Sequence, residues 1–414
     1  MADTSVWLPR RAEASLRRAL EDSPAVCLLG PRQSGKSALA QHYDPARPYF
    51  TFDDPALLAA ASADPAGLIA GLPPAVTIDE IQRVPGILPV IKLSIDRDRR
   101  PGRFLLTGSA DLLLLPPVSE SLAGRLEIVR LHPLTEAEKE RRPGRFLEHF
   151  LAGSLKPRVH SGEPALGELA HRLLQGGFPE AIRRPPSRLR PWHRAYVDAL
   201  IDRDARDVAN LRNLDHLRAL LTMLAHQTAQ LLNINAAAKH LGIRRETVEN
   251  YLAAIERLFL VRRLAAWHTN EVRRLVKAPK VHFVDSGIAA ALTGLTADGW
   301  NLERDRFGHV LESFVVQQLV AQAAWTDPEL GFWHYRDKDG TEVDVVVTRG
   351  RKVWGVEVKA GATVRETDGR GLRRLAHAAG RHFQGGVLLH AGTSALPTAD
   401  RRVLAVPLAQ LWTL

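Results

Sequence analysis

Two sets of residues in this 414-residue chain have the types and spacing to do chemistry. The first is the run Gly30-Pro31-Arg32-Gln33-Ser34-Gly35-Lys36-Ser37. The apolar stretch Ala25 to Leu29 before it suits a buried parallel strand, and Ser37 to Gln41 after it reads as a helix. Strand, glycine-rich loop and helix is the context of a phosphate-binding P-loop. Gly30 and Gly35 permit tight turns that aim backbone N–H groups at phosphates, and the helix N-terminus adds its dipole. Lys36 is expected to reach the β- and γ-phosphates and the Ser37 hydroxyl to bind Mg²⁺, which makes ATP, or a related nucleoside triphosphate, the expected ligand. A second strand, Ala75 to Ile78, delivers Asp79 to hold Mg²⁺ through water and Glu80 to orient or deprotonate the attacking water.

The second set lies near the C-terminus. Val310 to Leu319 reads as a helix, and Phe332–Arg336, Thr341–Val347 and Val353–Lys359 read as strands joined by the turns Asp337–Gly340 and Arg349–Lys352. Alternation puts Glu342 and Asp344 on one face of their strand, and Glu357 and Lys359 on one face of theirs. A hairpin brings Asp344 beside Glu357, and Glu312 from the helix completes a carboxylate cluster suited to Mg²⁺ or Mn²⁺. Lys359 would position a metal-bound water and stabilise charge on phosphate. Glu, then Asp, then Glu-x-Lys resembles the PD-(D/E)XK nuclease superfamily, notably its resolvase-like members. The chain departs from that pattern in having Val343 where a Pro usually precedes the Asp, and no Gln in the helix after Lys359. The resemblance implies a nuclease-like fold and leaves cutting and non-cutting forms both open.

The elements that must position these residues fall into four regions, at 1–135, 136–205, 206–300 and 301–414. The first alternates short apolar runs with helical stretches, as βαβ units do. Gly-Pro-Arg-Gln-x-Gly-Lys, Ile78-Asp79-Glu80-Ile81-Gln82, Leu106-Thr107-Gly108-Ser109 and Ser121-Leu122-Ala123-Gly124-Arg125 together resemble a family of prokaryotic AAA-superfamily ATPases with a C-terminal domain of long-unassigned function. That resemblance covers most of the chain. It implies an α/β protein: a RecA/AAA-like parallel-sheet P-loop ATPase domain, a helical lid, a winged-helix segment, then an α/β restriction-endonuclease-like domain. It further implies that Ser109 or Thr107 senses the γ-phosphate, a plain strand-ending turn accounting for either equally well. Arg125 becomes a candidate arginine finger in cis or from a neighbouring subunit, which would make the protein a homo-oligomer, with a structural ion pair as the alternative. Arg32 becomes a contact to phosphate or to the neighbouring subunit.

In the helical middle, Gly176-Gly177-Phe178-Pro179-Glu180 should break a lid helix. Tyr196 to Asp207, with Asp202, Arg203, Asp204, Arg206 and Asp207, reads as an exposed, salt-bridged helix. Asn233 to Ile243, then Arg244 to Leu252, has the small residues, glycine turn and polar second helix of a helix-turn-helix. Ile255, Leu258, Phe259, Leu260 and Val261 are expected to run into a further helix, and Leu264 onward to start a wing near Arg273, Arg274 and Lys277. Arg244, Arg245, Thr247, Asn250, Arg273 and Arg274 are the DNA-contact candidates, with packing or protein binding as the alternative.

Composition supports these readings. Net charge is +10 and the pI about 10.0, which favours a polyanion such as nucleic acid, although an arginine-rich surface accounts for it as well. Cys27 is the single cysteine, so no internal disulfide and no cysteine-rich zinc site can form. The N-terminus lacks a signal segment and no apolar run is long enough to span a membrane, so a cytoplasmic protein without a membrane partner is expected. Two functions remain open: an ATP-driven DNA-processing enzyme with metal-dependent cleavage, and a non-cutting ATP-dependent switch that binds DNA or a protein.

Overall fold

The structure is a computed structural model, which describes residues 7–109, 124–159, 166–209, 213–269, 277–300 and 302–414, with the side chains of 204–209 outside the description. Ser121, Leu122, Ala123, Arg273 and Arg274, and the side chains of Asp204, Arg206 and Asp207, therefore lie outside the described residues. The chain divides into two compact units, Met1–Pro133 with Arg257–Phe259, and Leu134–Glu256 with Leu260–Leu414.

The first unit is built on five parallel strands, β1 Ala25–Leu29, β2 Tyr49–Thr51, β3 Val76–Asp79, β4 Phe104–Gly108 and β5 Leu126–Arg130, in the order β2-β3-β4-β1-β5. Alternation splits the apolar residues of β1 and β4 between two cores. Ala25, Cys27, Leu29, Phe104 and Leu106 pack on one face; Val26, Leu28 and Leu105 pack on the other with Leu16 and Leu39. Both faces are covered, which is why β1 reads as an unbroken apolar run. The same register sets the site. β1 pairs β4 with Leu29 opposite Gly108, so the loop after Leu29 and Ser109 leave the sheet at one edge. Leu131 N–H donates to Leu29 O at 2.7 Å as β5 continues past that edge. A Cβ on Gly30 would lie 2.1 Å from Leu131 O, so only glycine permits this approach.

The second unit begins with helices. The break after Gln175 falls where the two glycines predict it: Gly176 adopts φ 67°, and Gly177 N–H donates to Asp285 at 2.7 Å. Asp202 is paired with Arg218, so the long helix Pro186–Ala209 carries the ion pairing expected of an exposed face. α1 Ile234–Leu241 and α2 Arg245–Arg257 form the helix-turn-helix, with Gly242 at φ 65° in the turn.

The expected further helix does not form. α2 ends at Arg257, Leu260 N–H closes back on Ile255 O at 3.1 Å, and Val261–Leu264 becomes strand β6. β6 pairs antiparallel with β7, Lys280–Phe283, Val261 opposite Phe283, and the pairing buries Val261 and Leu264 of β6 against a β7 that is buried throughout. This two-stranded sheet starts at Val261, three residues before Leu264, where a wing was expected. Its chain beyond β6 is joined to the C-terminal sheet: Trp267 N–H donates to His334 O at 2.6 Å, His334 N–H to Ala265 O at 2.9 Å, and Lys277 Nζ to Arg336 O at 3.0 Å. This covers an edge strand that would otherwise offer unpaired backbone groups.

That C-terminal sheet is mixed. Helix α3, Arg304–Thr326, precedes β8 Gly331–Arg336, β9 Glu342–Arg349 and β10 Lys352–Lys359; helix α4, Arg370–Ala379, crosses over to β11 Phe383–His390, followed by β12 Leu396–Pro397 and β13 Val403–Pro407. The order is β12-β13-β11-β10-β9-β8, with β8, β9 and β10 antiparallel and β10, β11 and β13 parallel. α4 lies directly on the hairpin: a Cβ on Gly371 would meet Glu342 O at 2.0 Å. Among the described residues, no helix is long and apolar enough to cross a membrane.

Candidate functional site

At the C-terminal edge of the first sheet, the P-loop turns through Gln33 at φ 60° and Gly35 at φ 95° into a helix that starts at Lys36. Two left-handed residues in one short loop curl its amides into a concave cradle. Lys36 is buried and its Nζ donates to Gly30 O at 2.9 Å and Pro31 O at 2.8 Å. Burial pulls Lys36 down to about 8, against the upward pull of Glu80 and Asp79. Ser34 Oγ is fully buried in the loop without a hydrogen-bond partner in the described structure. Ser37 Oγ donates to Asp79 Oδ1 at 3.0 Å.

Asp79 is held from three sides, since Thr51 Oγ1 donates to its Oδ2 at 3.3 Å and Thr107 Oγ1 donates to its Oδ1. Glu80 sits at φ 57°, a left-handed conformation that is costly for a side-chain-bearing residue and that re-aims its carboxylate as the strand ends. Ser109 Oγ donates to Glu80 Oε2 at 3.1 Å, Gln82 Nε2 donates to the same carboxylate, and Gln82 Nε2 also donates to Ser109 Oγ at 2.8 Å. Lys36, Ser37, Asp79, Glu80 and Ser109 thus meet as the sequence predicts. An uncommitted serine, a buried cation and a serine–aspartate pair fit a nucleotide triphosphate with Mg²⁺. Arg32 lowers Lys36 further by like-charge repulsion.

Arg125 is not part of this constellation. It precedes β5, whose Leu126 pairs with Ala25 at the start of β1, whereas the P-loop leaves the other end of β1 after Leu29. Four residue steps of strand, about 13 Å, separate the two edges. Arg125 Nε instead pairs with Asp96 Oδ1 at 2.5 Å. The in-cis arginine-finger expectation is therefore corrected by the sheet register. Sequence reasoning missed Arg10, whose buried guanidinium donates to Ser34 O and to His132 O, each at 2.6 Å, tying the P-loop to the chain after β5. No motif contains Arg10, and only the fold brings it to the loop.

In the second unit, the hairpin assembles the predicted C-terminal residues. β9 and β10 pair with Val345 opposite Val356, and Val358 N–H donates to Asp344 Oδ2 at 2.8 Å. Lys359 Nζ donates to buried Glu357 at 2.9 Å. Lys280, first residue of the wing strand β7 and 4% exposed at its side chain, donates to Glu312 Oε1 at 2.8 Å and lies 3.2 Å from Glu342 Oε2 and 3.6 Å from Asp344 Oδ1. Burial alone would lower Lys280, but Glu312 and Asp344 hold it above its ordinary value, and it stays charged. Burial and then Asp344 push Glu312 up to about 8 in spite of Lys280; one ammonium does not neutralise three carboxyls, and Glu312 takes up the difference as a proton. Burial and Asp344 likewise raise Glu357, against the pull of Lys359.

This corrects the expected metal set. Among the described residues, no group of three His, Cys, Asp or Glu side chains is disposed to hold a metal ion, and Glu312 and Asp344 already share the chain's own ammonium. The residues do not fit Mg²⁺ or Mn²⁺ in this arrangement. The sequence hid Lys280 because Lys280 and His282 alternate with Val281 and Phe283, the pattern of a strand with one wet face; here all four are buried. On the helix-turn-helix, Arg244, Arg245 and Asn250 are exposed and Thr247 is half-buried, with Arg245 paired to Glu249 at 2.9 Å.

Family models match three stretches of the chain: an AAA domain at residues 22–139, a domain of unknown function (DUF8612) at 166–299, and another (DUF4143) at 307–411. The uncharacterized protein Rv2008c of Mycobacterium tuberculosis is 32% identical over 414 residues, covering 98% of this chain and 84% of the relative. An uncharacterized protein of Haemophilus influenzae is 22% identical over 289 residues, covering 68% of this chain and 64% of the relative. Among solved structures, the Walker-type ATPase paby2304 of Pyrococcus abyssi aligns at TM-score 0.43 and 16% identity, over 69% of this chain and 96% of that one.

Proposed function

This chain belongs to the family of Rv2008c, with an AAA P-loop domain at its N-terminal end, and we propose that it is a Mg²⁺-dependent ATPase acting as a cytoplasmic, non-cutting switch for DNA. The observation that carries the nucleotide half is the Ser37–Asp79 hydrogen bond at 3.0 Å, which joins the end of β3 to the P-loop helix. Mg²⁺ with ATP supplies a polarised, charge-neutralised γ-phosphoryl group when bound. Ser37 and Asp79 would hold the cation, Lys36 would exchange its two loop carbonyls for phosphate oxygens, and Glu80 would take the proton of the attacking water. Ser109 and Gln82 orient Glu80 for that step.

The DNA half rests on the exposed Arg244 and Asn250 of the helix-turn-helix and on the net charge of +10. The order of α3, three antiparallel strands, α4 and a parallel strand supports a nuclease-like ancestry for the C-terminal sheet. Lys280 among Glu312, Glu342 and Asp344 favours binding over cleavage, because a metal would have to displace a buried ammonium. Assembly as a homo-oligomer is the remaining role for Arg125 in trans.

The test uses purified full-length protein with labelled duplex DNA, across salt concentrations and with or without ATP·Mg²⁺. Affinity should fall with salt and differ between nucleotide states in wild type, and the nucleotide effect should vanish in Lys36→Ala. No ATP turnover, or DNA affinity indifferent to nucleotide in wild type, sinks the switch. Nicked product in Mn²⁺ that disappears in Asp344→Ala would replace it with a nuclease.

A further inference from the structure

We propose that the cavity beside Lys359 in the second unit is a nucleotide-binding site that takes a phosphate ester of a nucleoside, separate from the P-loop. The cavity holds about 420 Å³ and is lined by Trp300, Arg304, Phe307, Lys359, Arg365 and Asp368. That volume lies within the roughly 300–1,000 Å³ of small-ligand clefts.

Its charge is one-sided: three cations against one carboxylate. Asp368 accepts the Arg365 backbone N–H at 2.7 Å and keeps its charge, but the three cations outnumber it. Lys359 carries three donors and spends one on Glu357 at 2.9 Å, which leaves donors for phosphate oxygens. Arg365 is exposed at the rim and brings a planar fork suited to phosphate. The lining also includes Trp300 and Phe307, whose rings pack 5.0 Å apart and give the cavity apolar surface. Cations and aromatic surface in one lining match the two halves of a nucleotide. The loop after Lys359, which also lines the cavity, is fixed by Ala391 N–H donating to Gly361 O at 3.0 Å.

The ligand could come from two sources, a free mononucleotide or the phosphorylated end of a nucleic-acid strand. The site goes beyond the ATPase reading and stands whether or not the helix-turn-helix binds duplex.

The experiment uses the full chain carrying Lys36→Ala, which silences the P-loop. A labelled oligothymidylate with a 5′-phosphate is titrated against its 5′-hydroxyl counterpart, and thymidine monophosphate and inorganic phosphate are added as competitors. The phosphorylated strand, thymidine monophosphate, or both should bind, and Arg365→Glu and Arg304→Ala should each weaken that binding about tenfold or more, the size of one lost charge-assisted contact. Preference for the phosphorylated strand assigns the strand end; competition by thymidine monophosphate without such a preference assigns the free nucleotide. Binding that neither requires the phosphate nor changes in Arg365→Glu overturns the proposal, as does no binding of either probe. ATP turnover by Arg365→Glu with Lys36 intact should match wild type, which reports folding and keeps this test apart from the ATPase reading.

Discussion

Lys280 Nζ stands 2.8 Å from Glu312 Oε1, and the two residues come from different elements, a strand of the wing and the helix that opens the C-terminal domain. Both are buried, and Lys280 also lies 3.2 Å from Glu342 and 3.6 Å from Asp344, so it is the cation of this carboxyl cluster. Lys280→Met should cost about 3–5 kcal/mol, because it leaves buried carboxylates without their cation. The double variant Lys280→Met/Glu312→Gln should recover part of that loss. Urea unfolding followed by tryptophan fluorescence measures it, since every tryptophan but Trp7 lies in the second unit. Equal stability of wild type and the single variant would show that the pair does not hold the two elements together.

Glu80→Gln should retain ATP binding while kcat falls by roughly 10²–10⁴. The amide keeps the shape that accepts from Ser109 Oγ but cannot take a proton. Steady-state hydrolysis with a parallel equilibrium measurement of bound nucleotide separates the two. A kcat within a factor of two of wild type would remove Glu80 from the proton-transfer role.

Arg10 braces the P-loop through two carbonyls, Ser34 O and His132 O. Arg10→Ala should weaken ATP binding about tenfold, the equivalent of about 1.4 kcal/mol. Arg10→Lys should not restore it, because one ammonium lacks the fork that spans both acceptors. Full rescue by lysine would reduce Arg10 to a simple positive charge.

Arg125 lies at the edge of the sheet opposite the P-loop, paired with Asp96. Arg125→Ala should leave ATP affinity of dilute, unassembled protein unchanged, as read by equilibrium titration. Any loss of turnover should appear only at concentrations where sedimentation shows assembly. A concentration-independent loss would contradict the register argument.

His334 lies where the wing joins β8, and burial, then Lys280, hold its imidazole down at about 4. A lowered folded value means that the unfolded chain binds the proton first, near 6.5. The contribution is therefore present above about pH 6.5 and lost as pH falls toward 4, on the order of 3 kcal/mol in total. Glu312, raised to about 8, acts with the opposite sign: its contribution is full below about 4.5 and fades as pH rises through 8. The difference in stability between wild type and His334→Gln isolates the histidine, and that difference should shrink as pH drops from 6.5 to 4. A difference that is constant with pH would place the histidine's protonated form in the folded state.

Local chemistry made much of this protein legible in its sequence. Gly30, Gly35, Lys36 and Ser37 lie within one run of eight residues, and Asp79 and Glu80 end a short apolar strand, so residue types and spacing named the phosphate site. The alternation of Glu342, Asp344, Glu357 and Lys359 along two strands joined by a short turn likewise fixed which carboxylates meet. Register and long-range packing decided the rest. Only the pairing of β1 with β5 separates Arg125 from the P-loop, and only the path of the chain before the first helix brings Arg10 to it. Phe259 and Leu260 read as helix until Val261–Leu264 finds a partner strand some twenty residues away. Lys280 carries no signal in the sequence, because a strand of alternating pattern says nothing about what covers its polar face. Here the C-terminal domain covers it, and a buried ammonium then takes the place that the sequence reserved for a metal.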